Sequence, residues 1–334
     1  MIEIDGSFGE GGGQILRTLL TLSAFTGRPF RLYNIRRNRP NPGLQRSHLS
    51  SVNAVSQISN AQVRGNYLNS TELEFIPHEI EDVNLQVDVG SAGSITLVLQ
   101  SVLPLILNRR SSIYLKGGTD VPKSPTMDYF RYVFLGALRR AGIEGKTEIK
   151  KRGYYPKGGG EVHVSEFRGG REFSLLEMGE VTDPFVISHV TSLPLGIAER
   201  EANAAFQVLS SRFQVHKEAR EDIGIGKGTS TLVFLEGGGI IGSDSLGALG
   251  KRAEDVGKEA ANNVLMDFLT EAAVDSYLSD MLMVYSSIFG GEYKGARLTC
   301  HARTNAEIIR KFGLKVEIAG NSPFFFRIKE PLVF

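Results

Sequence analysis

The sequence predicts a mixed α/β protein built from three repeated α/β units that form one large domain, with a small α/β domain inserted. Two stretches share one pattern of short strand, Gly-Ser-x-Gly turn, apolar helix, second strand and second helix. Their turns fall at residues 6–9 and 90–93. Strands that alternate with amphipathic helices bury one face of each helix against a sheet, which favours this fold class.

The elements follow from hydrophobic period and turn residues. In the first unit we expect strands at 2–4 and 29–35 and helices at 14–25 and 44–58. In the second we expect strands at 85–89 and 111–116 and helices at 94–107 and 128–141. A weaker third copy begins at residue 274, with helices at 277–288 and 305–312 and strands at 296–300, 314–319 and 324–329.

The segment from about residue 180 to 272 does not fit the repeat. It alternates strand and helix differently, with strands at 185–191 and 230–235 and helices at 198–213 and 252–269. We therefore predict a large domain of residues 1–179 plus 273–334 and an inserted small α/β domain of residues 180–272, between the second and third units.

Composition limits the possible partners. The 334 residues include 38 Lys plus Arg against 37 Asp plus Glu, a formal charge of +1. Proteins that coat duplexes carry a broad basic excess, so any nucleic-acid contact here should be local, at an end or a short strand. A single cysteine, Cys300, excludes a disulfide framework. Without a signal-peptide pattern or a bilayer-spanning apolar run, the chain is expected in the cytoplasm, away from membranes.

The first candidate site covers residues 10–17, Glu-Gly-Gly-Gly-Gln-Ile-Leu-Arg. Three glycines ahead of a helix let backbone N–H groups approach an anion, and the helix dipole favours it. Glu10 could hold a divalent metal and Arg17 could reach a phosphate. The alternative is a tight strand-to-helix turn.

The second candidate is the Pro/Gly-rich connection at residues 36–48, which carries four arginines and a histidine. Arginine binds phosphate oxygens through two N–H groups at once, so a phosphate-binding loop is as probable as a solvated basic loop.

Two other glycine-rich stretches say less. Residues 152–162 place a glycine triplet before a strand, which is compatible with a bulge or a hairpin, and their chemistry is not readable from residue types. Residues 224–229 suggest a P-loop, but Gly228 separates Lys227 from Thr229 and position 221 is Glu, so we reject it.

The last candidate is residues 300–307. Thr304 and Glu307 form a capping-box pattern, which predicts a helix from Asn305 with His301 and Arg303 in the connection before it. A helix amino end attracts phosphate and favours the neutral imidazole that attack on phosphorus needs. An isolated histidine is more often structural.

Taken together, these segments resemble the RNA 3′-terminal phosphate cyclase family over nearly the whole chain. Residues 152–162 look like its signature of Arg-Gly, two residues, Pro, one residue, three Gly, one residue and an aliphatic. The segments at 10–17, 42–48 and 117–120 also match, as does the helix at 277–280 followed about twenty residues later by His301.

The resemblance implies an ATP-dependent enzyme that acts on RNA ending in a 3′-phosphate, with Mg²⁺ or Mn²⁺ and without an obligatory protein partner. His301 would attack the α-phosphorus of ATP and carry AMP as a phosphoramidate. The AMP would pass to the RNA 3′-phosphate, and the neighbouring 2′-hydroxyl would displace it, leaving a 2′,3′-cyclic phosphate. Attaching AMP gives a phosphate monoester a good leaving group.

The same resemblance assigns residues to roles. Nucleotide contacts fall to Gln14, Arg17, Gln100, Pro125, Tyr277, Leu278, Ser279, Asp280 and Met281. Contacts to ATP phosphates or the RNA end fall to Arg36, Arg39, Arg46 and His48, and Glu10 becomes the metal ligand. Met281 and Ser47 stand where many members have glutamine, which puts side-chain hydrogen bonds there in doubt.

Two other functions remain open. Cyclase-like relatives that serve ribosome assembly bind RNA without the catalytic histidine, and His301 with Glu10, Arg17 and Asp280 argues against that reading. Enolpyruvyl transferases use similar units but need about six, and this chain has room for three plus the insertion.

Overall fold

The computed structural model describes residues 1–9, 12–90 and 92–333, without the side chain of Asp183. The predicted metal ligand Glu10 therefore lies outside the described residues. Within the described ranges the chain is a mixed α/β protein, as the sequence predicts. No helix there is long and apolar enough to cross a bilayer.

The first unit forms a four-stranded sheet covered by two helices. Its elements are β1 (Ile2–Asp5), α1 (Gly13–Thr26), β2 (Phe30–Tyr33), α2 (Arg46–Ile58), β3 (Gln62–Arg64) and β4 (Leu73–Ile76). The strands lie in the order β1-β2-β4-β3. The first pair is parallel and the other two are antiparallel. Helix α1 ends at Gly27, whose φ of 68° suits a residue without a Cβ.

The second unit repeats this connectivity. Its elements are β5 (Asn84–Asp88), α3 (Ile95–Ile106), β6 (Ser112–Gly117), a π-helix (Tyr129–Phe134) that continues into α4 (Leu135–Arg140), β7 (Glu144–Gly153) and β8 (Gly160–Arg168). These strands lie in the order β5-β6-β8-β7. The predicted helix at 128–141 is thus present, but its first turns are wound more widely than an α-helix.

The segment that follows begins with one strand of the third unit and then leaves it. Its elements are β9 (Phe173–Leu175), β10 (Thr182–Thr191), α5 (Gly196–Leu209), β11 (His216–Glu221), β12 (Gly224–Ile225), β13 (Gly228–Glu236), β14 (Ile240–Leu246) and α6 (Ala253–Phe268). Strands β11-β10-β13-β14 form their own sheet, and β12 pairs with the edge of the second unit at β7. Helices α5 and α6 pack on that sheet around a separate apolar core.

The third unit is completed by α7 (Ser276–Phe289), β15 (Gly291–Gly295), α8 (Cys300–Lys311), β16 (Val316–Gly320) and β17 (Phe324–Ile328). Its strand order, β9-β15-β17-β16, matches that of the other two units. The expectation that the third copy starts at residue 274 is wrong, because its first strand is β9 and pairs in parallel with β15. The insertion therefore interrupts the third unit after that strand. The domain boundaries remain a proposal.

One predicted strand is wrong. Residues 296–300 were expected to be extended, but the strand there is Gly291–Gly295, and Cys300 already begins helix α8. The three units share one continuous apolar core. Helix α1 packs against α2, α3 and α8, and α7 packs against α8. The amino ends of α1 and α8 thereby come together.

Candidate active site

The amino end of α1 forms the floor of the candidate site. A Cβ built on Gly12 would lie 3.6 Å from Arg39 Nη2 and 3.8 Å from His301 Cε1. A Cβ built on Gly13 would collide with the His48 imidazole and lie 3.1 Å from Arg17 Nη1. Side chains from three separate sequence motifs therefore converge on two glycines. The positive end of a helix dipole at this place favours a bound anion.

His301 lies in the first turn of α8, so the predicted start of this helix at residue 305 is wrong. The helix begins at Cys300, and Thr299 caps it because its Oγ1 accepts the Ala302 N–H at 2.9 Å. Thr304 does not cap, since its hydroxyl donates to the Cys300 carbonyl at 2.8 Å. His301 nevertheless stands at a helix amino end, as expected, and Arg303, two residues later, is exposed.

Three polar residues that the sequence did not single out fix α8 against its neighbours. The Thr299 hydroxyl contacts both carboxylate oxygens of Asp280 on α7, at 2.8 and 3.0 Å. Buried Asn305 accepts from the Thr18 hydroxyl of α1 at 2.8 Å and donates to the Asp280 carbonyl at 3.4 Å. Asn305 follows His301 by four residues and shares its helix face, which is the only signal the sequence offers.

The arginine-rich connection supplies one wall. Arg36 and His48 line a cleft with Gly12 and Gly13, and Arg36 donates to the Gly43 carbonyl at 3.4 Å. His48 Nδ1 accepts the Gln45 N–H at 3.0 Å, which leaves the proton on Nε2, the nitrogen that faces Gly13. Arg46 is exposed and lies near Gly90, outside this cleft.

A second cleft lies between α1, α3 and α7 and is lined by Arg17, whose Nη1 also lies near Gly13 of the first cleft. Five of the predicted nucleotide contacts line it: Gln14, Arg17, Gln100, Asp280 and Met281. The Arg17 Nη2 donates to Gln14 Oε1 at 2.6 Å, while its buried Nε has no partner in the described part of the chain. A buried donor without a partner is costly and fits an anionic ligand.

The remaining predicted nucleotide contacts lie elsewhere. Leu278 and Ser279 are fully buried, so neither side chain is presented to the cleft. Tyr277 is exposed at the start of α7, and the Pro125 carbonyl accepts from the Thr96 hydroxyl at 2.8 Å. The structure therefore brings together part of the predicted set, around Arg17 and Asp280.

Comparison with known sequences decides the family. A family profile described as RNA 3′-terminal phosphate cyclase matches residues 8–318. The chain belongs to the RNA 3′-terminal phosphate cyclase family. Similar proteins carrying that name occur in Saccharolobus islandicus (strain L.S.2.15 / Lassen #1) and Saccharolobus solfataricus, each 54% identical over 98% of this chain and 99% of theirs. One from Sulfolobus acidocaldarius is 52% identical over 98% of this chain and 100% of its own.

Residues 152–162, which resemble the cyclase-family signature, have a structural role. Strands β7 and β8 make a hairpin here, and the Arg152 side chain is 1% exposed. Its guanidinium pairs with Asp120 at 3.3 Å, Asp128 at 2.8 Å and Asp222 at 2.9 Å. The first two carboxylates belong to the second unit and the third to the insertion, so this buried arginine joins the two parts.

Positive charge crowds the cleft of this cyclase-family member. Burial, together with Arg17 and Arg36, lowers the pKa of His48 to about 3, so its imidazole is neutral near pH 7. Burial lowers the pKa of Arg17 to about 10, which leaves it charged. Burial and the neighbouring Arg39 lower the pKa of Arg36. Such mutual repulsion is relieved when a polyanion binds.

This depressed pKa predicts an acid-sensitive contribution of His48 to stability. Unfolded histidine titrates near pH 6.5, whereas folded His48 titrates near 3, so between these values only the unfolded chain gains the proton and acid favours unfolding. The variant His48→Gln can still accept the Gln45 N–H. We expect its free energy of unfolding to fall less steeply with falling pH than that of the wild type, by up to about 1 kcal/mol per pH unit. Urea unfolding at pH 6.5 and 5 measures it, and parallel curves for both proteins contradict it.

A resident metal site is not formed by the described residues. No group of three or more His, Cys, Asp or Glu side chains that could hold a metal ion occurs among them. The charged side chains that line the clefts are those of Arg17, Arg36 and Asp280, and the Asp280 carboxylate is engaged by Thr299. The predicted ligand Glu10 lies outside the described residues, so a divalent cation stays a proposal.

Proposed function

We propose that this enzyme converts an RNA 3′-phosphate to a 2′,3′-cyclic phosphate at the expense of ATP, through AMP carried on His301. The observation that carries the assignment of His301 is its approach, together with Arg39, to Gly12 at the amino end of α1. A nucleophile, a phosphate-binding guanidinium and a helix amino end at one point are what nucleotidyl transfer needs. A cytoplasmic location stays a prediction.

In the first step an imidazole nitrogen of His301 bonds to the α-phosphorus of ATP. The bond from that phosphorus to the bridging oxygen breaks, and pyrophosphate leaves with the electron pair. Arg39 and Arg17 would stabilise the charge on the phosphate oxygens, and neutral His48 could donate its Nε2 proton in a hydrogen bond. Thr299 and Asn305 hold α8, so the imidazole is positioned before ATP arrives.

In the second step an oxygen of the RNA 3′-phosphate attacks the phosphorus of the histidine-bound AMP, and the nitrogen–phosphorus bond breaks. In the third step the 2′-hydroxyl oxygen bonds to the activated 3′-phosphorus and its proton is released to solvent. The bond from that phosphorus to the oxygen shared with AMP breaks, and AMP leaves with the electron pair. Arg36 and Arg46, with Arg39 and His48, are the proposed contacts to the RNA end, since guanidinium pairs well with phosphate.

The nucleoside of ATP is proposed to lie in the second cleft. Its wall combines the polar residues Gln14, Gln100 and Asp280 with the apolar side chains of Met281 and Phe134, a mixture that suits a base with polar edges. Met281 offers a flexible thioether for packing where a glutamine would offer a hydrogen bond. Tyr277 and Pro125, which do not line this cleft, remain proposed contacts to the nucleotide.

Product analysis with the wild-type protein tests the function. The protein is incubated with α-labelled ATP, with and without an RNA that ends in a 3′-phosphate. We expect label on the protein that acid releases, as a phosphoramidate requires, and an RNA end that becomes resistant to phosphatase. An unlabelled protein with an unchanged RNA end would favour the non-catalytic RNA-binding alternative.

Arg39→Ala should slow the reaction with the fold intact. Arg39 is partly exposed in a loop and reaches the Gly12 position with its Nη2, so its loss removes phosphate contacts more than packing. We expect RNA cyclisation to fall by roughly 100-fold, as for loss of one preorganised donor to a transition-state oxygen. The control is Arg64→Ala, on the exposed strand β3, and unchanged cyclisation kinetics for Arg39→Ala would remove this residue from the site.

A further inference from the structure

Two exposed aromatic residues flank the arginine-rich connection and have no role in the steps above. Tyr67 is 67% exposed, on a turn with Leu68 at 47%, and Phe8 is 52% exposed before α1. None of the ring contacts found among the described residues involves Tyr67 or Phe8. Large apolar side chains kept in water next to a functional site indicate a binding surface.

The Tyr67 turn is fastened directly to the arginine-rich connection. The Asn69 N–H donates to the Leu44 carbonyl at 2.8 Å, and the Leu44 N–H donates to the Ser70 carbonyl at 2.9 Å. Gly43, at φ 78°, lies so close to the Asn69 backbone that no Cβ would fit. These contacts fix the turn beside the loop that carries Arg37 and Arg39.

The Phe8 turn is fastened to residues 33 and 34, at the end of β2 just before the same connection. The Gly6 N–H donates to the Tyr33 carbonyl at 2.7 Å, and the Asn34 side chain donates to Asp5 Oδ1 at 3.2 Å. The next residue, Gly9, packs against Thr304, which follows His301 by three positions. Phe8 therefore lies on the turn beside α8, whereas Tyr67 lies on the turn beside residues 43 and 44 of the arginine-rich connection.

The connection beside both turns carries exposed positive charge. Arg37 and Arg46 are both exposed, and Arg37 lies within electrostatic reach of Asp5. The Asp5 carboxylate is already engaged by Ser7 and Asn34. Glu72, which follows the Tyr67 turn, is paired with Arg31 at 3.2 Å. The acidic groups on these loops are thus partly neutralised, and the arginines face solvent.

We propose that the RNA strand leading to the 3′-phosphate crosses this surface of Phe8, Arg37, Arg46 and Tyr67. Phe8 stacks on the base at the 3′ end, Tyr67 stacks on a base upstream, and the two arginines contact the phosphates between them. Aromatic rings interleaved with basic side chains are how proteins hold single strands without reading their sequence. The proposal rests on the proposed function for the identity of the RNA.

Such a surface also explains how a nearly neutral chain can bind a polyanion. Only a few phosphates are contacted, so a formal charge of +1 is sufficient when the local charge is positive. The enzyme should accordingly prefer single-stranded 3′ ends of several nucleotides over a dinucleotide.

Binding of two RNAs to three tyrosine variants tests the proposal. The probes are a fluorescent ten-nucleotide RNA and an unlabelled dinucleotide, each ending in a 3′-phosphate. We expect Tyr67→Ala to weaken binding of the ten-nucleotide RNA about fivefold or more, because one base stack is lost. Tyr67→Phe keeps the ring and should bind as the wild type does. Tyr155→Ala, at a tyrosine that is 69% exposed on the β7–β8 hairpin, is the matched control.

Each outcome separates the surface from the proposed function. Three results would overturn the surface, even if the wild type forms cyclic phosphate. They are an equal loss of affinity for both RNAs in Tyr67→Ala, the same loss of affinity in Tyr155→Ala, and wild-type affinity in Tyr67→Ala. Weaker binding of the ten-nucleotide RNA by Tyr67→Ala, but not by Tyr155→Ala, supports the surface, even if the wild type forms no cyclic phosphate. A shallower salt dependence of RNA binding in Arg37→Ala supports it independently.

Discussion

His301→Ala is expected to abolish labelling of the protein by α-labelled ATP and to reduce RNA cyclisation by at least about 1,000-fold, because the atom that receives AMP is removed. The substitution should leave helix α8 in place. Alanine is the best helix former, and the cap on this helix comes from Thr299. Labelled protein and labelled AMP–RNA are measured in parallel, so loss of the first step is distinguished from loss of the second.

The control for this experiment is His78→Ala, since His78 is exposed in the connection between β4 and β5. It should label as the wild type does. If His301→Ala still carries acid-labile AMP, the nucleophile is another residue, and the convergence at Gly12 then serves only to bind phosphate.

Arg152→Ala should cause the largest loss of stability. Its removal leaves the buried Asp120 carboxylate without its cation, whereas Arg220 still contacts Asp128 at 3.1 Å and Asp222 at 3.2 Å. Breaking a buried ion pair by deleting one partner costs about 3–5 kcal/mol, since the remaining charge is desolvated without compensation. Urea unfolding measures the change, and Arg152→Met tests whether a similar volume without charge restores any of it.

The matched control is Arg31→Ala. Arg31 also pairs with a carboxylate, that of Glu72, but both side chains are about half exposed, and such pairs contribute less than about 1 kcal/mol. Equal unfolding free energies for the two alanine variants would contradict the structural role given to the signature arginine.

Local patterns predicted most of the fold. The paired Gly-Ser-x-Gly turns and the helical periods located α1, α2, α3 and their strands within a few residues, because burial against one sheet imposes those periods. The sequence could not join β9 to β15, since paired Ser174 and Glu292 are 118 residues apart and no periodicity spans such a distance.

The candidate site, too, could be predicted only in part. The motifs around Arg17, Arg39 and His301 could be predicted, but the start of α8 could not. Thr299 and Thr304 are both suitable N-cap residues. Thr299 is the one that caps the helix, and it also contacts Asp280 of α7. Arg152 was unreadable for a similar reason, because its three carboxylates come from distant parts of the sequence.

The position of the insertion has a consequence for the order of folding. Strand β9 has to wait for β15, which the ribosome makes much later, and an unpaired strand edge is open to wrong partners. The β13–β14 turn brings the two ends of the insertion together, because its Gly238 N–H donates to the Met178 carbonyl and the adjoining Ile240 N–H donates to the Ala273 carbonyl. Once the insertion has folded on its own core, the two junctions are neighbours, and β9 and β15 meet across a short effective loop.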